Sequence, residues 1–155
     1  MKQTTLIGRI LLGALYISIT VAILAAVMRA PSPKNPYQSK VFLAGVEIMV
    51  AIADTPHQRE KGLSGYKALE PNEGMLFIFP EPGFHGFWMR DMLFPIDIIW
   101  FDENRRIVDA WENASPASFP QIYTPRAPSQ FVLEVPAGFF VNHALNVGDT
   151  IEILR

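Results

Sequence analysis

The chain has 155 residues, half of them hydrophobic, with 13 basic and 15 acidic side chains and a formal net charge of -2. Every acidic residue lies at or beyond Glu47, so the part able to fold is the more negative part and would repel phosphates rather than neutralise them, which argues against nucleic acid as a partner. The absence of cysteine removes disulfides, thiolate metal sites and cysteine nucleophiles.

From Ile10 to Met28 the chain carries neither charge nor proline, a run close to the roughly 20 residues that cross a bilayer as a helix. Arg9 and Arg29 bracket the run, and Met28-Arg29-Ala30 offers no small-x-small cleavage site. Residues 6–28 are therefore expected to be a transmembrane anchor or uncleaved signal, which makes the membrane the chain's first partner. Basic residues are nearly balanced on its two sides and leave the orientation open. Residues 30–40, APSPKNPYQSK, contain Pro31, Pro33 and Pro36 and read as an extended, solvated tether.

Residues 41–155 read as one domain. Val41 to Leu43, a turn at Ala44-Gly45 and Val46 to Ala53 predict a hairpin, with Val46, Ile48, Val50 and Ile52 on one face of its second strand. Thr55-Pro56-His57-Gln58 predicts a helix start with a capping box, and Gly62 a stop soon after. The stretch Gly74 to Asp102 holds three apolar runs, Met75–Phe79, Phe87–Met89 and Ile96–Phe101, punctuated by Pro80, Pro82, Gly83 and Pro95. These read as buried core strands with Phe77 and Trp88 inside. A strand over Arg106 to Trp111, a proline-punctuated loop over Asn113 to Ser129, a strand over Phe131 to Val135, a second short helix within Pro136 to Leu145 and a last strand over Thr150 to Leu154 complete the chain. The fold class is mainly β with two short helices, an α+β domain whose strands, apolar on both faces, are expected to close into a small antiparallel barrel-like sheet.

Arg90, Asp91 and Asp97 are the charges stranded in the central stretch. Asp97 shares a strand face with Ile99 and Phe101, so its carboxylate is either desolvated or held by a partner such as Arg59 or Arg90, or it accepts backbone amides at a strand end. Arg90 and Asp91 follow Phe87-Trp88-Met89 at a strand end, where they either fix a ligand or form a surface ion pair. Trp88, Trp100, Trp111 and Tyr123 form either a stacking platform or ordinary core and rim aromatics. His57, His85 and His143 share no helical or strand face, so no metal is expected, and no motif calls for a cofactor. Glu134 and Asp149 near His143 make a weak acid and base set, and Gly62-Leu63-Ser64-Gly65 lacks the spacing of a nucleophile elbow.

A longer pattern runs through these pieces: Thr55 with Arg59 and Gly62-Leu63, Gly74-Met75-Leu76-Phe77 with Phe79, Phe87-Trp88-Met89, Asp97-Ile98-Ile99 with Asp102, Val132-Leu133-Glu134 with Gly138, and Gly148-Asp149. In this order they resemble the DUF192 family over nearly all of Val41 to Arg155. The resemblance implies a small β-rich prokaryotic domain of uncharacterised role, often secreted or membrane-anchored, and so a domain outside the cytoplasm. The chain departs from the family pattern at Ser64, at Tyr66 and at Arg90-Asp91-Met92, where methionine, arginine and a Lys-Asn-Thr type tripeptide are usual. Three roles are compatible with these residues. One is an envelope domain binding a small ligand or a protein partner through Arg59, Trp88, Arg90, Asp91 and Asp97. Another is a hydrolase pairing Asp97 with Asp91 or Glu134, and the third is a purely structural module.

Overall fold

The computed structural model describes residues 36, 37 and 39–154. The expected anchor at 6–28 and most of the tether lie outside the described residues, among which no helix is long and apolar enough to cross a membrane. β1 (Ser39–Leu43) and β2 (Val46–Ala53) make the expected hairpin, in register from Ser39↔Val50 to Leu43↔Val46. Ala44 and Gly45 both take positive φ, 49° and 84°, which gives a two-residue turn whose twist matches that of the strands it joins.

α1 (Pro56–Lys61) leads across to β3 (Glu73–Gly83), and β3 pairs with β2 in parallel, from Met49↔Glu73 to Ala53↔Phe77. This corrects the expectation of an all-antiparallel sheet. A parallel pair needs a long crossover, and the segment carrying α1 supplies it. β4 (Phe87–Trp88), β5 (Ile96–Phe101), β6 (Ile107–Ala114), a 3-10 turn at Pro116–Ser118, β7 (Ile122–Tyr123), β8 (Ser129–Pro136), α2 (Phe139–Asn142) and β9 (Ile151–Leu154) follow. Seven strands form one sheet in the order β6-β5-β8-β3-β2-β1-β9, and β4 pairs with β7 in a separate two-stranded sheet. The second of the three expected core strands thus belongs to the cover of the sheet, not to the sheet itself.

The large sheet curls without closing into a barrel. Among the described residues its edge strands meet through the bridge Arg106↔Thr150, with the Ile107 amide donating to Asp149 O at 2.8 Å, the Gly148 amide to Ile107 O at 2.8 Å and the Ile151 amide to Arg105 O at 3.0 Å. β9 has 4 residues, already paired with β1, and β6 is bent by irregular register against β5, so no continuous ladder forms between the two edges.

Both faces of the sheet are covered. One buried cluster draws on all seven strands, among them Val41, Ile48, Leu76, Ile99, Ile107, Leu133 and Ile151, and is closed by Phe139 and Leu145 around α2. The other lies on the opposite face of the central strands, with Ala53, Met75, Phe77, Ile98, Trp100 and Val132 under Leu63, Phe87, Met89, Met92 and Tyr123. β5 is buried along its whole length because it passes between the two. Residues that alternate along a strand therefore choose between two cores, and any polar one among them is stranded in apolar surroundings.

Candidate functional site

α1 stands over the second cluster because its ends are fixed. Thr55 and Gln58 close the capping box, with the Thr55 amide donating to Gln58 Oε1 at 3.0 Å and the Gln58 amide to Thr55 Oγ1 at 3.3 Å. Gly62 ends the helix with φ 49°, and a Cβ there would meet the Phe77 ring at 3.4 Å. Arg59 Nη1 donates to Asp54 O at 2.6 Å and Ile78 O at 2.9 Å, and its guanidinium lies 5.2 Å from the Phe79 ring centre. The turn after α1 is tied to the β4 loop, where Ser64 Oγ donates to Arg90 O at 2.9 Å and the Gly65 amide to Asp91 O at 3.0 Å.

Between α1, β3 and β4 these ties leave a pocket of about 230 Å³. Its buried lining is Leu63, Phe77, Phe87, Met92 and Glu134, and its exposed rim includes Glu60, Lys61 and Trp88, with Arg59 half-buried between them. Of the residues singled out in the sequence, Arg59, Trp88 and Glu134 are thus brought together.

Glu134 is the anomaly of the pocket. β8 passes so close to β3 that a Cβ on Gly74 would sit 2.6 Å from Glu134 O. Register with Met75 on one side and Ile98 on the other turns the Glu134 side chain into the apolar cluster. The residue is 5% exposed, and its Oε2 is buried without a hydrogen-bond partner among the described residues. Burial pushes its carboxyl up to about 8, so it keeps its proton at neutral pH.

Asp97 lies on the other side of the sheet. It pairs in register with Val135, while Glu134 pairs with Ile98, so the two carboxyls point to opposite faces and cannot work as a pair. Of the alternatives open to Asp97, backbone amides hold it, and neither Arg59 nor Arg90 is among its hydrogen-bond partners. Its Oδ1 accepts from the Asn113 amide at 2.8 Å and the Gly138 amide at 3.1 Å, and its Oδ2 from the Phe140 amide at 2.9 Å. At 0% exposure the carboxylate serves as a clasp, tying β6 and the start of α2 to β5. Asp97→Asn puts an amide NH2 against these donors and should cost roughly 2–4 kcal/mol. An unchanged denaturant midpoint would show that the clasp is dispensable.

The remaining candidates sit at the edge of the pocket or away from it. Trp88 is 41% exposed, not in the core as expected, because in β4 it is Phe87 that faces the buried cluster. Arg90 stacks over Trp88 at 4.5 Å and lies 3.7 Å from Glu60, so it braces the rim and does not reach the floor. Asp91 is exposed and occupies a turn at φ 57°. Among the described residues no single aromatic platform forms: Trp88 meets Phe119, Trp111 meets Tyr123, and Trp100 is buried with its Nε1 donating to His85 O at 2.9 Å. Among the described residues no group of His, Asp, Glu or Cys is arranged to hold a metal ion.

Two features escaped the sequence reading. Asp109 pairs with Arg126 and also accepts from the Arg126 and Ala110 amides; burial pushes its carboxyl up, but the hydrogen bonds and charge of Arg126 outweigh this and hold it below the usual range. His85 stacks on Phe79 with ring centres 3.5 Å apart. Asp109 shares a strand face with the apolar Ile107, a usable signal for the first; nothing local marks the second.

Similar proteins agree on the fold and leave the role open. A UPF0127 protein of Thermococcus kodakarensis is 33% identical over 107 residues, covering 66% of this chain and 62% of its own length. Its counterpart in Thermococcus gammatolerans is also 33% identical, with 64% of its length matched, so the match spans less than two thirds of both relatives. Among solved structures, a Sinorhizobium meliloti protein provisionally described as a transcription regulator superposes with TM-score 0.72 at 31% identity, covering 78% of this chain and 98% of that one. A Novosphingobium aromaticivorans protein of unknown function gives TM-score 0.72 at 29% identity, covering 79% of this chain and 91% of that one. The DUF192 family model, described as an uncharacterised ACR, matches residues 39–153, and the chain belongs to that family.

Proposed function

We propose that the domain is a binding module that takes a small molecule into the pocket between α1, β3 and β4. The observation that carries this is the pocket's composition: a floor of Leu63, Phe77, Phe87 and Met92, a Glu134 carboxyl whose Oε2 has no partner among the described residues, and a rim of charge and tryptophan. An apolar cleft with a few convergent polar groups is the usual form of a small-molecule site. The carboxyl pair that hydrolysis would use is not assembled, since Asp97 is sealed on the far face and Asp91 is turned to solvent. A nucleic-acid role, as the description of the Sinorhizobium relative would suggest, is disfavoured by the acidic balance beyond Glu47.

The test is a ligand-observed NMR screen of small aromatic and polar fragments against the full chain. Hits should compete with one another, and Trp88→Ala should weaken those with a flat ring by roughly threefold to tenfold. Silence across the screen, or hits indifferent to Trp88, would sink the reading.

We also propose that residues 6–28 hold the domain at a membrane, outside the cytoplasm, where such a pocket would meet envelope solutes; the exposed Trp88 and Phe119 beside it suit a protein partner as a second occupant. The support is the charge-free run from Ile10 to Met28 followed by a proline-rich tether. Full-length protein should stay with membranes through carbonate extraction. Its recovery in the soluble fraction with Met1 intact would overturn the anchor.

A further inference from the structure

A carboxyl that keeps its proton offers an O–H donor and a C=O acceptor side by side. Glu134 lines the pocket, and its Oε2 is buried and still unpartnered among the described residues. The groups around it do not supply a counter-charge. From α1, Arg59 is engaged with the Asp54 and Ile78 carbonyls, while Glu60 and Lys61 are exposed on the rim. Arg90 is drawn to Glu60 and Trp88, His85 is stacked on Phe79, Tyr123 is buried in the same cluster, and Tyr37 and Tyr66 pack against it.

A charged ligand would have to shed its water among Leu63, Phe77, Phe87 and Met92, which is costly without an opposite charge already in place. An organic cation would in addition pass Arg59 and Lys61 and force Glu134 to give up its proton. An anion would find no cation on the floor. We infer that the pocket takes a small uncharged ligand whose amide-type group, donor and acceptor adjacent, pairs with the Glu134 carboxyl while its flat apolar body lies among Leu63, Phe77 and Phe87. This rests on the binding role proposed above. The size fits, because an apolar cavity of roughly 150 Å³ holds benzene and this pocket is about 230 Å³, room for one ring with a polar substituent.

Three probes of nearly one shape separate the possibilities: benzamide is uncharged, benzamidinium is a cation and benzoate an anion. Their affinities for the full chain, measured by ligand-observed NMR at about pH 6 and about pH 10, should put benzamide ahead of both ions by at least roughly tenfold at the lower pH. Benzamide should weaken by a similar factor at the higher pH, where the carboxyl has lost its donor. Glu134→Gln, which keeps a donor and an acceptor, should still bind benzamide and lose the pH dependence. Benzamidinium or benzoate matching benzamide at about pH 6 would overturn the ligand class and leave the pocket as a binding site. So would a pH dependence that survives Glu134→Gln, or benzamide binding that never varies with pH in the parent. Failure of all three to bind, with a silent fragment screen, would overturn both this inference and the binding role beneath it.

Discussion

Glu134→Gln should stabilise the domain near pH 7 by roughly 3 kcal/mol and change it little near pH 4. The folded carboxyl is raised by burial from 4.5 to about 8. Between these values the unfolded chain carries the group ionised while the native state keeps its proton, so the native state binds more protons and stability falls as pH rises. The contribution is present in full below the unfolded value, is lost progressively up to about 8, and is constant beyond it. At about 1.4 kcal/mol per pH unit, the loss approaches roughly 3 kcal/mol by pH 7 and roughly 5 kcal/mol in total. Glutamine has nearly the same shape and cannot ionise, so it removes the slope. Denaturant unfolding of parent and variant across this range measures the difference directly. Parallel pH profiles would mean that Glu134 finds a counter-charge in solution, and its place as the pocket's polar group would fall with that. A group that costs stability at neutral pH in an otherwise apolar cluster is the kind that binding or chemistry retains.

The features legible in the sequence are those whose cause is local. The capping box at Thr55 and Gln58, the stop at Gly62 and the two-residue turn at Ala44-Gly45 are all written within a few residues, and all stand as read. The parallel pairing of β2 with β3 was not legible, because nothing near Met49 specifies Glu73 as its neighbour. Backbone amides were among the alternatives read for Asp97, but which amides was hidden for the same reason, since no side chain advertises the donors at Asn113, Gly138 and Phe140. Glu134 carried the same mark as Asp97, a carboxyl within an apolar strand. Only the register, Asp97 with Val135 and Glu134 with Ile98, puts the two in different cores, where one is satisfied by backbone and the other lines a pocket with its Oε2 unpartnered among the described residues. Strand alternation reveals that a polar residue is stranded, but the partner that satisfies it comes from tertiary structure.

Phe77→Ala should destabilise the domain by roughly 3–5 kcal/mol, whereas Trp88→Ala should cost less than roughly 1 kcal/mol. Both residues sit in apolar runs of the same central stretch, and composition does not separate them. Phe77 is 1% exposed, meets Phe87 edge-on with ring centres 4.8 Å apart, and lies under Gly62 at the end of α1. Removing its ring therefore takes away buried apolar area and loosens the seat of α1 together. The void would join the existing pocket of about 230 Å³, which it lines, and the neighbours could not collapse to fill it, which favours the upper part of the range. Trp88 keeps one side in water and contacts Phe119 and Arg90 at the rim, so its loss costs only edge contacts. Chemical denaturation of the two variants beside the parent reads the contrast. A Phe77→Ala midpoint close to that of the parent would mean that α1 is not seated on this ring, and a Trp88→Ala loss as large as that of Phe77→Ala would place the tryptophan in the core after all.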